Sequence, residues 1–364
     1  MIIREVKFED YSQIKNLANR FNINVYEQNE WEIIWKNNPY LKDNKIEWPL
    51  GWVIEVENKI VGHIGNIPTQ YFYNSQSYNG SIISCWVVEP KYRLYSIKLI
   101  QKYLSQSTKD FHIATTSNLK TARTLSAFGW KEMPNKDYNK KLYIVLNTKA
   151  VLFAFIKKSN FYSNNFINNL INFGINIFLS KKINYWKKFK KENNFEIHNQ
   201  FDNQFDEMWE KLKIYKKNTF LFNRSSKWLN WHLNSKIKNK NSFILTKKEE
   251  GKIIAYAICV FKYVKDLSIK KAVLVDLVSI KDYEKTYFDL VLFSINNSFK
   301  SGCDIFEIVG FSEEKRKIMK KIRPFEKKNT FSPFYFITKN QNLNKILLKR
   351  ENWDPSELDG DSIY

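Results

Sequence analysis

The run Ser81 to Leu104, SIISCWVVEPKYRLYSIKLIQKYL, holds the residues of this chain best suited to chemistry. Its β-branched and aromatic content makes Ile82 to Val88 a strand. Pro90 ends that strand, because a residue without an N–H cannot continue a central ladder. From Ser96 the apolar residues Ile97, Ile100 and Leu104 fall at helical spacing. The turn between strand and helix aims free backbone N–H groups at one place, the arrangement with which a helix start holds a pyrophosphate. Arg93 is the side chain best placed to add a charge-assisted phosphate contact; its alternative is a surface ion pair. Glu89 is a candidate general base for a substrate ammonium, or a solvated strand terminus. His63 faces a cleft from the hairpin GWVIEVENKIVGHIGNIPTQ, or serves the strand structurally. Asn118 makes a ligand contact or caps a helix. Trp86 and Tyr95 wall the cleft or the core.

The elements that position these residues are written twice. A helix from Tyr11 to Asn22, a Trp pair (Trp31, Trp35), the hairpin, a strand, a helix and another strand from Phe111 make the first copy. At an offset of about 190–197 residues the order recurs. The second copy has a helix Phe205 to Tyr215, Trp228 and Trp231, the hairpin SFILTKKEEGKIIAYAICVF, a strand Ala272 to Val278, a helix Phe288 to Phe299 and a strand Asp304 to Val309. Its loop Leu277 to Asp289 has no Gly and carries Asp282, Glu284 and Asp289 where phosphates would lie, so only the first copy is expected to hold them. Three regions follow: 1–149, a helical and basic segment 150–195, and 196–364. Within the middle segment, SKKINYWKKFKKE reads as a linking helix or as an interfacial helix on an anionic leaflet. The acidic tail ENWDPSELDGDSIY, with Trp353 as its one aromatic anchor, is expected to fray.

Composition narrows the function classes. The net charge of +22 attracts anionic partners, but only eight of the 59 basic residues are Arg. Nucleic-acid recognition recruits Arg to phosphates and base edges, so this balance disfavours it. The four His show no zinc spacing, and Cys85, Cys259 and Cys303 read as buried strand thiols of a reducing compartment. A cytoplasmic, metal-free protein is expected, with peripheral contact to an anionic membrane as its one link to lipid.

The stretch WVVEPKYRLYSIK resembles motif A of the GNAT acyltransferases, and IATTSNLKTARTLSAFGWKEMP, Ile113 to Pro134, resembles their motif B. The second copy, with RSSKWLNWH and WDPSELDGD, resembles tandem GNAT-like proteins found with bacterial surface-polysaccharide synthesis. The resemblance implies an α/β chain of two tandem GNAT-like domains with mixed, largely antiparallel sheets. It implies acyl-CoA, acetyl-CoA first, as co-substrate, and a small-molecule or glycan amine, such as an amino sugar, as acceptor. It places the cofactor on Arg93, Leu94, Tyr95, Ser96, Ile97 and Lys98, with Asn118 and the backbone N–H groups of Val87 and Val88 along the pantetheine arm. Glu89 and His63 are its catalytic candidates. The chain departs from the family at Ser96 and Lys98, which stand where small Gly or Ala residues let backbone approach phosphates. Leu125 stands where many members carry a Tyr proton donor. These departures keep a catalytically silent scaffold as a rival reading, beside a Fem-type aminoacyl transferase.

Overall fold

The computed structural model describes residues 1–106, 109–135, 137–159, 195–281, 283–328 and 334–361, with only the backbone of 158, 159 and 283. The interfacial helix expected at 180–192 lies outside the described residues.

The strands are β1 (Ile2–Glu5), β2 (Gly51–Val56), β3 (Lys59–Tyr73), β4 (Gln76–Val88), β5 (Phe111–Ala114), β6 (Lys131–Glu132), β7 (Lys140–Val145), β8 (Phe195–His198), β9 (Leu221–Phe222), β10 (Ser242–Glu249), β11 (Lys252–Val264), β12 (Ile269–Ser279), β13 (Ile305–Ile308), β14 (Phe325–Lys328) and β15 (Tyr335–Ile337). They form two sheets, ordered β1-β2-β3-β4-β5-β15-β6 with β9 beside β3, and β14-β7-β13-β12-β11-β10-β8. Among the described residues only β4 with β5 and β12 with β13 pair as parallel ladders; the other ladders are antiparallel. The duplicated hairpins have a common cause. Glu57 and Asn58 in one, and Glu250 and Gly251 in the other, take the two positive φ values that match the twist of adjoining strands.

Each sheet borrows a strand from the other stretch of chain. β7 pairs with β13 and β14 in the second sheet, and β15 pairs with β5 and β6 in the first. The sheets thus cross the divisions at 149 and 196. The copies also share a core: Tyr71 of β3 stacks on Phe220 at 4.6 Å, and Phe220 meets Trp353 at 5.5 Å.

Four local expectations are corrected. The second-copy helix runs Tyr283–Lys300, five residues earlier than its apolar spacing suggested, so Glu284 and Asp289 lie on a helix and not in a loop. Cys303 precedes β13, outside any strand. The helix Ser96–Leu104 buries Leu99, Ile100 and Tyr103 and leaves Ile97 48% exposed, because its 3-10 entry rotates the buried face. As far as Asp361 the tail does not fray. Trp353, Asp354, Ser356, Leu358 and Asp359 are all buried, held by ion pairs and hydrogen bonds that pattern-reading could not see.

Candidate active site

β4 pairs with β3 along its length, but with β5 only from Gly80 to Ile82. β15 pairs with the opposite edge of β5, at His112 to Ala114. Ile83 to Val88 therefore has one edge without a ladder partner among the described residues. A bulge opposite Ile64 puts Cys85 at φ +47°, a left-handed conformation that re-aims the local side chains. Glu89 N–H donates to the Val61 carbonyl at 2.9 Å. The alternation of an antiparallel ladder then turns the Val87 N–H to β3 and the Val88 N–H to the open edge. Of the two backbone donors expected, only Val88 is available.

His63 is placed by this bulge. It pairs with Val87 across the ladder, is 2% exposed, and its Nδ1–H donates to the Cys85 carbonyl at 2.8 Å. That bond fixes the tautomer, leaving Nε2 as a buried acceptor without a hydrogen-bond partner. Burial pushes the His63 pKa down to about 4, against the pull of the Cys85 carbonyl, so the ring is neutral at pH 7.

A cavity of about 80 Å³ opens beside His63. Ile14, Val25, Trp31, Ile34 and Trp35 make its apolar wall, and Ser84, Cys85 and His63 its strand side. Asp361, the last residue of the WDPSELDGD run, completes it, a residue to which the sequence assigned no site role. Its Oδ1 accepts from Thr115 Oγ1 at 3.1 Å and from Thr116 Oγ1 at 2.9 Å. Burial pushes the carboxyl up to about 6, with the two threonine bonds opposing.

The buried tail brings Asp361 there. Asp354 pairs with Lys216 and, at 2.8 Å, with Lys315. Burial alone raises the Asp354 carboxyl, but the two lysines outweigh it and hold it well below the usual carboxylate range. Asp359 accepts from Tyr71 Oη at 3.0 Å and from Ser356 N–H at 2.5 Å. Gly360 passes so close to Thr115 that a Cβ would lie 2.0 Å from its Oγ1. The one sequence signal was the spacing of aspartates in WDPSELDGD, which a tail on the surface would show equally.

The other expected site residues stand apart from this cavity. Glu89 is ion-paired with Arg20 at 2.6 Å, so its carboxylate is already engaged. Pro90–Tyr95 forms a 3-10 helix; Tyr92 N–H donates to the Glu89 carbonyl and Ser96 N–H to the Arg93 carbonyl. Those two donors are already used, so the turn offers a poorer phosphate cradle than a glycine-rich one. Arg93 and Lys98 are exposed, Leu94 is 84% exposed, and Lys98 lies 5.6 Å from the Tyr95 ring. Asn118 caps the helix Leu119–Ala127, its Oδ1 accepting from Lys120 and Thr121 N–H at 3.0 Å. Leu125 is fully buried among Trp52, Ile64, Leu99 and Ile100, a core position and not a cleft one.

The equivalent place in the second copy is filled. β12 pairs with β13 only as far as Leu274 and bulges against Ile258 and Cys259. Beyond it, Asp276 is paired with Arg224 at 2.9 and 3.1 Å and accepts from Tyr256 Oη at 3.1 Å. Both charges are buried, and the turn Glu357–Asp359 packs on β12. Tyr256 occupies the register position held by His63 in the first copy, one residue past the pairs Ile54–Gly62 and Lys247–Ala255.

No family model and no curated protein matches this chain in sequence. Solved structures do match its fold. Saccharomyces cerevisiae N-myristoyltransferase with bound myristoyl-CoA superposes with a TM-score of 0.60 at 12% identity, covering 92% of this chain and 78% of that one. A GCN5-related N-acetyltransferase from Anabaena variabilis gives 0.54 at 12% identity, over 93% and 73% of the two chains. Another from Kribbella flavida gives 0.54 at 8% identity, over 93% and 70%. The fold is therefore that of two tandem GNAT-like domains with mixed sheets. Among the described residues no helix is long and apolar enough to cross a membrane.

Proposed function

We propose that the chain transfers an acyl group from acyl-CoA to a primary amine at the cavity beside β4. The observation that carries this reading is the meeting of three features: the open edge of β4, the neutral acceptor His63 Nε2 and the raised carboxyl of Asp361. The fold supports it as an analogy only.

In this reading the donor's thioester carbonyl lies along the open edge, facing the Val88 N–H. An ammonium entering the cavity gives a proton to Asp361, and the neutral amine attacks the carbonyl carbon. A C–N bond forms and the C–S bond breaks, and the second proton shed by the nitrogen ends on the departing sulfur, giving amide and free thiol. His63 Nε2 accepts an N–H of the amine and fixes its lone pair toward the carbonyl. A carboxyl near pKa 6 is mostly ionised at pH 7 yet basic enough to take the ammonium's proton. The leaving thiolate needs no dedicated acid, since a free thiol titrates near ~8.5. That suits a site in which Leu125 is core.

Arg93 and Lys98 provide the exposed charges for the donor's phosphates, and the partly spent turn makes that binding weak. Acetyl-CoA is the first donor to test. An amino sugar of a surface glycan is the acceptor suggested by the sequence resemblance; a cytoplasmic site, at or off the inner membrane face, goes with it. The test is free-thiol release by purified protein with a panel of acyl-CoAs and primary amines. Turnover abolished by Asp361→Asn with CoA binding retained supports the reading; CoA binding without turnover on any amine moves it to a silent scaffold.

A further inference from the structure

We propose that Lys236, a residue of the second copy, is the gate that decides which amines reach the first-copy cavity. The inference rests on the acyl-transfer reading above. Two cavities meet at Tyr26 and Ile34, which line both. One holds His63 and Asp361; the other is only about 20 Å³ and runs between Glu30 and the second-copy residues Trp231, Asn234 and Ser235. Such a space admits about a single water, so an acceptor longer than a small amine must displace its wall.

Tyr26 is that wall, and the second copy holds it. The Tyr26 hydroxyl accepts from Lys236 Nζ at 3.0 Å, and the ammonium lies 4.7 Å from the ring centroid. The Tyr26 carbonyl accepts from Tyr11 Oη at 2.7 Å, anchoring the backbone, and Lys236 adds its bond and its cation to the ring. Lys236 sits on the short helix Asn234–Lys238, directly after the helix Ser226–His232. From that preceding helix, the Trp231 indole donates to the Ile33 carbonyl at 3.4 Å. The second copy thus grips the wall on both sides of the shared residues, and a charge-assisted bond plus a cation–ring contact is what an opening must break.

The lining gives the acceptor class. Inside the gate the walls are apolar around Asp361 and His63; outside it Glu30, Asn234 and Ser235 offer hydrogen bonds. This fits a primary amine on a narrow stem with a polar body behind it, as in an aminoacyl amide. It disfavours an amine borne directly on a bulky ring while the gate is closed.

The experiment uses the full chain, acetyl-CoA as donor, and ethylamine, glycinamide and glucosamine as probe acceptors. In Lys236→Ala the ratio of kcat/KM for glucosamine to that for ethylamine should rise about tenfold, the scale at which pocket size discriminates. Lys236→Arg, which keeps a donor and a cation, should keep the wild-type ratio. Amide hydrogen exchange over residues 24–34 should quicken in Lys236→Ala alone. An equal ratio in wild type and Lys236→Ala overturns the gate. If no amine yields free thiol in the wild type, the transfer reading fails by itself and exchange decides the clamp: unchanged exchange overturns it, faster exchange upholds it.

Discussion

β4 and β12 start alike and end differently. Each pairs briefly with a parallel neighbour, carries a bulge, and runs on with one edge released from that neighbour. At β4 the released stretch borders a cavity containing a neutral imidazole and a carboxylate. At β12 the corresponding space holds a buried Arg224–Asp276 pair and the chain's own tail. The backbone device was kept in both copies, and the side chains decide whether it is a site or a joint. The tail connects the two outcomes, for the segment packed on β12 ends by delivering Asp361 to the first-copy cavity.

The comparison breaks most readily at Asp361. Asp361→Asn should slow acyl transfer by ~10²–10⁴-fold, the usual worth of a general base, with CoA affinity retained. The pH profile sharpens the same point. The base works only when ionised, so the wild-type rate should fall as pH drops through about 6 and level off above it. A rate flat from pH 5 to 8 would remove Asp361 from the chemistry.

On the filled side, Arg224→Met leaves Asp276 buried without its partner, and unfolding in denaturant should show a loss of about 3–5 kcal/mol. A loss below 1 kcal/mol would mean that the joint is not structural. Leu125→Tyr forces a ring and hydroxyl into a closed core and should cost about 1–3 kcal/mol in the same assay without raising the rate. Accelerated transfer in that variant would show that the position faces the site after all. The smallest effect is expected at Arg93. Its exposed side chain should contribute one charge-assisted contact, so Arg93→Ala should weaken CoA binding by about 1 kcal/mol in calorimetry. Equal affinity would separate the 3-10 turn from donor binding.

Much of the framework was legible because it is local and repeated. Val- and Ile-rich alternation gave the long hairpins, Gly129 closed its helix at φ +81°, and the repeated order of elements gave two copies. His63 could be singled out as a rare polar residue in an apolar strand, but not its tautomer, which depends on the carbonyl of Cys85 across a bulge. Glu89 looked like a base because its partner Arg20 lies 69 residues away in sequence. The helix face of Ser96–Leu104 was misread because a 3-10 entry shifts the phase of a 3.6-residue repeat.

The sequence by itself determined the duplication and the strand-to-helix order of each copy, since these rest on periodicity and on Pro and Gly placement. Only the tertiary structure decided that β7 and β15 are exchanged, that the acidic tail is buried, and that Asp361 and His63 line one cavity. The physical reason is range. Thr115 and Asp361 are 246 residues apart, and Tyr71 and Asp359 are 288 apart. No periodicity encodes such pairings. They form because a carboxylate leaving water must find donors, and the folded sheets present those donors in only a few places.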